Sequence, residues 1–308
     1  MPSTPLRLLA ERPLIPAVLG AGCIAFSAPF VRLSGASPTT VAVFRCAYAL
    51  PVLGLLARKE RVRFGPRTAK AHLLAAIAGV AFAVDLITWH HSIDAVGAGL
   101  ATVLGNMQVV VVGVIAWLVL KEPGDKRVLG AIPVVVAGLV LVSGALGRGA
   151  YGHDPALGVF YGVCTSVAYS VFILVHREGA KDLNRPAGPL FEATLVTTVV
   201  ATLFGLGTHS VDLTPAWPGH GWLVLLAISS QVLGWLLLSI SLPRLPAALS
   251  SVLLLLQPVG SMALGAVIFA EHPSAVQMGG VVLILSGVIL AAWGRRSTPA
   301  AIPEPATP

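Results

Sequence analysis

Long apolar stretches, separated by short polar connections, dominate the hydrophobic pattern of this chain. Each stretch has about 20 residues, the length that an α-helix needs to cross the hydrocarbon core of a bilayer. The connections are short, so no inserted soluble domain is expected. The fold predicted from this pattern is an all-α polytopic membrane protein. Its ten predicted transmembrane helices cover residues 13–31, 40–57, 71–91, 98–120, 128–146, 156–175, 187–206, 221–242, 247–270 and 275–294.

Composition agrees with this interpretation. Of the 308 residues, 56% are hydrophobic and only 11% are charged, whereas a soluble domain has about 25% charged residues. The three cysteines, Cys23, Cys46 and Cys164, fall inside predicted helices, where cysteine usually behaves as a small apolar residue. We therefore expect no disulfide, and no Cys or His spacing suggests a metal site or another cofactor.

The positive charges lie mainly on one side of the predicted helices. The net charge is +7, and the basic connection 58–70 carries much of it. Only Arg32 and Arg148 fall on the other side, and Arg45 falls within a helix. Cytoplasmic loops collect Lys and Arg, so the pattern predicts a multi-pass protein of the cell membrane with both termini in the cytoplasm. It requires no nucleic-acid partner.

The chain also contains an internal repeat. A shift of 149 residues superposes Ala98–Val142 on Ala247–Ala291 without a gap. Five helices per repeat is an odd number, so the second copy must enter the membrane from the opposite side. The informative identities are Gln108/Gln257, Glu122/Glu271, Gly130/Gly279 and Gly138/Gly287.

The predicted domain organisation follows from the repeat. Two inverted five-helix repeats, 13–146 and 156–294, are joined by an external linker, 147–155. A cytoplasmic segment, 1–12, precedes them, and a Pro- and Ala-rich tail, 295–308, follows and is predicted to be disordered. Inverted halves can exchange conformations, which opens a central site to either side of the membrane in turn. The pattern favours a transporter over a structural or receptor protein in which the repeat is only a relic.

Specific residues add a family resemblance. The second half carries Gln257-Pro258, Glu271, Gly279-Gly280 and Gly287, and the first half carries SPTTVAVFRCAYAL over 37–50. In order and spacing these features resemble the drug/metabolite transporter superfamily, EamA type. The resemblance implies a ten-helix transporter in which helices 3, 4, 6, 8 and 9 line a central cavity.

Polar and aromatic residues at membrane depth on those helices are the candidates for lining the cavity. Each one taken singly is also a normal helix-packing residue. Arg45 and Asp85 lie at similar depths on helices 2 and 3, so an intramembrane ion pair is predicted, whether structural or functional. His90, His91 and Asp94 form a polar cluster, but we do not expect them to bind a metal. The cavity candidates are Asp85, Trp89, Asn106, Gln108, Tyr169, Gln231, Trp235 and Gln257.

The expected function is secondary transport and not enzymatic catalysis. No nucleotide-binding or hydrolase motif is present, so uphill movement would use an ion gradient, with protons as a candidate. The expected substrate is a small amino-acid-like or other polar or aromatic metabolite, exported by alternating access. The alternatives are a proton-coupled multidrug exporter and, from another class, an intramembrane enzyme or sensor. The sequence indicates no oligomeric state.

Overall fold

The computed structural model describes residues 14–118, 126–143, 146, 150–180, 182, 185–241 and 253–293, and all regular elements in these ranges are helices. We number them α1 to α10 in chain order, after the ten predicted helices. Their bounds are α1, Leu14–Ala25 and Ser27–Ser34; α2, Pro38–Ala47 and Leu50–Phe64; α3, Ala69–Val96; α4, Ala98–Gly105 and Gln108–Leu118; α5, Lys126–Val142; α6, Pro155–Gly179; α7, Ala187–Gly207; α8, Gly219–Leu226, the π-helical segment Ala227–Gly234 and Trp235–Ser241; α9, Leu256–Phe269; and α10, Ala275–Trp293.

These helices confirm the predicted fold class. Seven of them, α1 to α4 and α6 to α8, are long and apolar enough to cross a membrane, and α9 and α10 are shorter apolar helices. The terminal segments 1–12 and 295–308, Glu122 and Arg148 lie outside the described residues.

Local sequence signals set several helix ends. The side chains of Ser37, Thr68 and Asp154 each accept a hydrogen bond from the backbone N–H three residues later. Such N-caps satisfy one of the amides that the first helical turn leaves free. Gly97, with φ of 87°, separates α3 from α4 by a single residue. A glycine is favoured there because L side chains rarely adopt a positive φ.

One face of α3 shows how the helices meet lipid. Leu73, Ile77, Val80 and Val84 are exposed and recur at intervals of three or four residues, which places them on one side of the helix. Ala75 and its neighbours on the other side are buried against the protein. An exposed apolar stripe of this length would be unfavourable in water, so it is a surface for lipid chains.

Equivalent helices of the two halves run antiparallel to each other. At the start of α4, Ala98 contacts Glu271 beyond the end of α9, and further along Thr102 Oγ1 lies 3.0 Å from Ser261 Oγ. The helices α2 and α7 behave in the same way, because Gly54 lies against Phe191 while Thr39 lies against Gly205. Since these helices correspond between the repeats, their antiparallel packing agrees with the predicted inversion.

The same symmetry relates two further pairs of helices that pack against each other across the halves. The helix α3 packs on α6, where Ser92 Oγ donates to the Gly158 carbonyl at 2.9 Å. The corresponding pair is α1 with α8, where the Ser27 and Ser230 hydroxyls lie 2.5 Å apart. The two halves therefore pack against each other along these helices, and buried residues of both halves form the main core cluster.

Glycines allow α5 and α10 to approach each other closely. An added Cβ at Gly280 would lie 2.7 Å from the Gly138 carbonyl oxygen, a backbone atom that cannot move aside cheaply. An added Cβ at the adjacent Gly279 would have its nearest neighbouring atom, Leu141 Cδ1, at 3.9 Å.

These two glycines provide a matched test of the interface. We expect Gly280→Ala to lower stability by about 1–3 kcal/mol, because overpacking forces neighbouring atoms apart. Gly279→Ala should leave stability unchanged or raise it slightly, because alanine favours helix. Thermal unfolding of both purified variants in one detergent measures the difference. Equal melting temperatures would contradict the close α5–α10 contact at Gly280.

Candidate functional site

A buried guanidinium stands at the centre of the helical bundle. Arg45 on α2 is only 3% exposed. Its Nε donates to Gln231 Oε1 at 3.1 Å, and its Nη2 donates to Ser230 Oγ at 3.4 Å. Gln231 in turn donates from Nε2 to Thr194 Oγ1 on α7 at 3.2 Å. With the Ser27–Ser230 contact, one polar network joins α1, α2, α7 and α8.

The π-helical segment of α8 supplies both partners of Arg45. Ser230 and Gln231 lie within Ala227–Gly234, a stretch of wider turns inside an otherwise α-helical span. Both side chains are completely buried. π-Helical turns are rare and occur often at functional sites. Here the segment lets consecutive side chains both reach the Arg45 guanidinium.

The predicted Arg45–Asp85 ion pair is not formed. Both side chains are buried, and their charges are within electrostatic range. However, the hydrogen bonds of Arg45 go to α8, and the described residues include no ion pair between Arg45 and Asp85. The prediction rested on equal depth in the membrane, and depth does not determine the direction in which a long side chain turns.

Aromatic side chains form a wall beside this network. The rings of Tyr169 and Trp235 meet edge-on with centroids 6.1 Å apart, and Phe172 lies 5.3 Å from Trp235. Trp89 lies under the guanidinium of Arg45, with 5.7 Å between Cζ and the ring centroid. Trp89, Tyr169 and Trp235 are only partly buried although they lie within spans. Each of these three rings also packs against buried core residues.

The remaining cavity candidates lie on α4 and α9. Asn106, at the break within α4, donates from Nδ2 to the Thr102 carbonyl at 2.9 Å. Gln108 and Gln257 are both buried. An added Cβ at Gly105, next to Asn106, would lie 3.8 Å from Trp89 Cδ1. This part of α4 therefore lies beside the aromatic wall. The structure thus brings Asp85, Trp89, Tyr169, Gln231 and Trp235 together around Arg45, with Asn106 adjacent.

Sequence reasoning missed His90. It was not among the cavity candidates, yet it is 1% exposed, and its Nδ1 lies 3.0 Å from the Pro38 carbonyl oxygen. Its ring centroid is 5.4 Å from that of Trp89. The available signal was its position directly after Trp89, a cavity candidate. In the described ranges no three His, Cys, Asp or Glu residues lie close enough together to hold a metal ion.

Sequence reasoning also missed a pair of carboxylate contacts that close the two ends of the bundle. Glu271 accepts hydrogen bonds from the backbone N–H groups of Ala98 and Gly99, at 2.8 and 3.1 Å, and forms an ion pair with Arg32. At the opposite end, Glu60 accepts from the N–H groups of Ala187 and Gly188, at 2.9 and 2.7 Å.

Each of these contacts joins one half of the chain to the other. Glu271 belongs to the second half and caps α4 of the first, whereas Glu60 belongs to the first half and caps α7 of the second. A carboxylate at a helix N-terminus satisfies otherwise free N–H groups and interacts favourably with the helix dipole. We call these contacts the Glu271 clamp and the Glu60 clamp.

Glu192 on α7 forms a second ion pair. Its Oε2 accepts from Arg67 Nη1 at 2.7 Å and lies 3.0 Å from His72 Nδ1. Arg67 also donates to the carbonyls of Ala71 and Gly179. These bonds anchor α7 to the start of α3.

Comparisons with known proteins agree with this architecture. The model of the EamA-like transporter family matches the chain twice, over residues 12–144 and 156–293. A solved structure named "Crystal structure of protein" superposes with a TM-score of 0.59 at 16% identity, and the alignment covers 91% of this chain and 96% of that chain. That likeness supports the fold alone. No curated protein matches the sequence.

The two family matches coincide with the two inverted halves, and together they span nearly the whole chain. The chain therefore belongs to the EamA-like transporter family, and it is a membrane transporter of the drug/metabolite type.

Proposed function

We propose that the protein is a secondary transporter that exports a small amino-acid-like or other polar or aromatic metabolite by alternating access. One observation carries this proposal: equivalent helices of two inverted halves pack antiparallel around a buried polar centre. Charged groups inside membrane spans usually face protein or a wet cavity and mark substrate pathways. The centre combines Arg45 and Asp85 with three partly buried aromatic rings.

The two clamps support the alternating-access part of the proposal. Each clamp closes one end of the bundle by joining the two halves, and both are formed in this structure. To open one end, the halves must separate there and break that clamp, while the other clamp holds. Since inverted halves can exchange conformations, release of the Glu271 clamp in one state and of the Glu60 clamp in the other would open the centre to each side.

A multidrug exporter driven by protons is the second candidate. The observation that favours it is the Asp85 carboxylate, which is 5% exposed and forms no ion pair in the described part of the chain. Such a carboxyl could bind and release a proton in each cycle.

Export can be tested without knowledge of the substrate. In cells that overproduce the protein, untargeted metabolomics should show at least one small polar or aromatic compound enriched in the medium and depleted inside. A Gln108→Phe/Gln257→Phe variant with equal folded yield should lose this change, because bulky rings at these two buried, repeat-related positions would block the proposed central cavity. An unchanged medium in cells with verified membrane insertion would contradict export.

A second experiment tests the proton-driven alternative. With the identified compound in proteoliposomes, Asp85→Asn should keep its response to an imposed proton gradient if Asp85 has no coupling role. Loss of that response, with exchange down the substrate gradient retained, would favour the second candidate instead.

The orientation is predicted from the basic side of the bundle. On a background without Cys23, Cys46 and Cys164, we expect Leu213→Cys to react with a membrane-impermeant thiol reagent in intact cells. Ala69→Cys should react only after the membrane is opened, since it lies beside the basic connection that we assign to the cytoplasm. Both positions are exposed. The reverse labelling pattern would show that the termini face outward.

The movement of α4 against α9 can be blocked chemically. Thr102 Oγ1 and Ser261 Oγ are 3.0 Å apart, so cysteines at both positions have the proximity that a disulfide needs. On the cysteine-free background, oxidation of Thr102→Cys/Ser261→Cys should stop transport, and a reductant should restore it.

Each single cysteine variant serves as the control and should transport regardless of oxidant. Full flux through protein that is completely cross-linked would show that α4 and α9 need not separate near the Glu271 clamp.

A further inference from the structure

Two buried polar atoms at the central network have no hydrogen-bond partner among the described residues. They are Arg45 Nη1 and His90 Nε2. Buried polar groups in native proteins are almost always paired, because an unpaired group loses its bonds to water without replacement. The two exceptions lie on α2 and α3, and both residues contact Trp89. They indicate a place where a third molecule completes the bonding.

Arg45 is held in position while part of its guanidinium stays available. The bonds from Nε to Gln231 and from Nη2 to Ser230 fix the plane of the group. Trp89 packs against it at 5.7 Å. Nη1 therefore retains two N–H donors with fixed geometry. Arginine presents such donors in a planar fork that matches the oxygens of a carboxylate.

His90 complements this donor with an acceptor. Its Nδ1 lies 3.0 Å from the Pro38 carbonyl oxygen. A carbonyl can only accept, so Nδ1 carries the proton, and Nε2 of the neutral ring is then an acceptor. The ring is packed beside Trp89 and is within electrostatic range of Arg45.

The other ionisable groups near Arg45 do not complete its bonding. Within electrostatic range lie Asp85, Cys46, Tyr169 and His90. No hydrogen bond joins Asp85 or Tyr169 to Arg45 in the described residues. The site therefore offers an anion-binding donor, a neutral acceptor and a separate carboxylate.

We propose that Arg45 Nη1 binds a carboxylate of the transported molecule, and that His90 Nε2 accepts a hydrogen bond from an ammonium or hydroxyl group beside that carboxylate. This assignment rests on the proposed transport function and narrows its substrate class to small organic acids with a neighbouring hydrogen-bond donor. Trp89, Tyr169 and Trp235 provide an aromatic wall for the apolar remainder of the substrate.

Ligand-dependent thermal stabilisation of the purified full chain tests the assignment. The probes share one benzyl group: L-phenylalanine, phenyllactate, hydrocinnamate, L-phenylalaninamide and phenethylamine. We expect the three carboxylates to stabilise the protein at millimolar concentration, and the amide and the amine to have no effect. Hydrocinnamate should bind more weakly than the other two acids because it has no donor for His90. L-Phenylalanine and phenyllactate distinguish an ammonium from a hydroxyl group.

Variants assign the effect to the two residues. Arg45→Gln and Arg45→Lys should weaken L-phenylalanine binding by about thirtyfold or more, as expected when one partner of a buried charged hydrogen bond is lost. His90→Ala should abolish the preference for L-phenylalanine over hydrocinnamate and keep the need for a carboxylate. Arg63→Gln, an exposed position on α2, is the matched control and should bind like the parent protein.

The comparison of probes on the parent protein remains decisive even if the Arg45 variants fail to fold. Equal stabilisation by L-phenylalanine and its amide, or no stabilisation by any probe, would overturn the assignment. The metabolomics experiment separates this failure from failure of the transport proposal. An exported compound without a carboxylate would reject only the role of Arg45, whereas no exported compound would reject the proposed export.

Discussion

The contact between the Glu271 carboxylate and the first turn of α4 is the interaction on which the ends of three helices depend. The carboxylate is 3% exposed and is bonded to the amides of Ala98 and Gly99 and to Arg32. A buried charge without partners is strongly destabilising, so α1, α4 and α9 must meet wherever this carboxylate is buried. Glycines make the space for it, since an added Cβ at Gly97 would lie 2.8 Å from Glu271 Oε1.

The Glu60 clamp uses the same chemistry at the other end of the bundle, but it is not the symmetric counterpart of the Glu271 clamp. Glu60 lies on α2, whereas Glu271 follows α9, whose counterpart in the first half is α4. Glu60 is also more exposed than Glu271, and Arg67 and Arg185 lie within electrostatic range of it. The residue of the first half that matches Glu271 is Glu122, which lies outside the described residues.

The membrane explains why so much of the fold was predictable. The bilayer core contains no water that could form hydrogen bonds with the backbone, so backbone amides there must pair within helices. The length of the apolar stretches was therefore enough to locate ten helices. The matched Gln, Glu and Gly residues revealed the repeat. The direction in which each side chain turns was not predictable. Arg45 and Asp85 were predicted to lie at similar depth and to form an ion pair, but Arg45 turns to Ser230 and Gln231. A π-helical segment that the sequence pattern did not indicate brings both residues within its reach. The Glu60 clamp was missed for a related reason, since it joins residues far apart in sequence.

The network around Arg45 combines stability with incomplete bonding. A guanidinium among membrane helices requires partners, and Gln231 and Ser230 supply two of them. These bonds tie α2 to the irregular part of α8, while Gln231 continues the network to Thr194 on α7. The bonds that stay open are on Arg45 of α2 and on His90 of α3, and both residues contact Trp89. If a substrate fills them, it adds its own bonds between helices that meet at the interface of the two halves. A ligand shifts a conformational equilibrium only by binding its states with different affinity. Arg45 and His90 lie in the first half, whereas Gln231 and Ser230, which hold the Arg45 guanidinium, lie in the second. A movement between the halves therefore changes the geometry that binds the substrate.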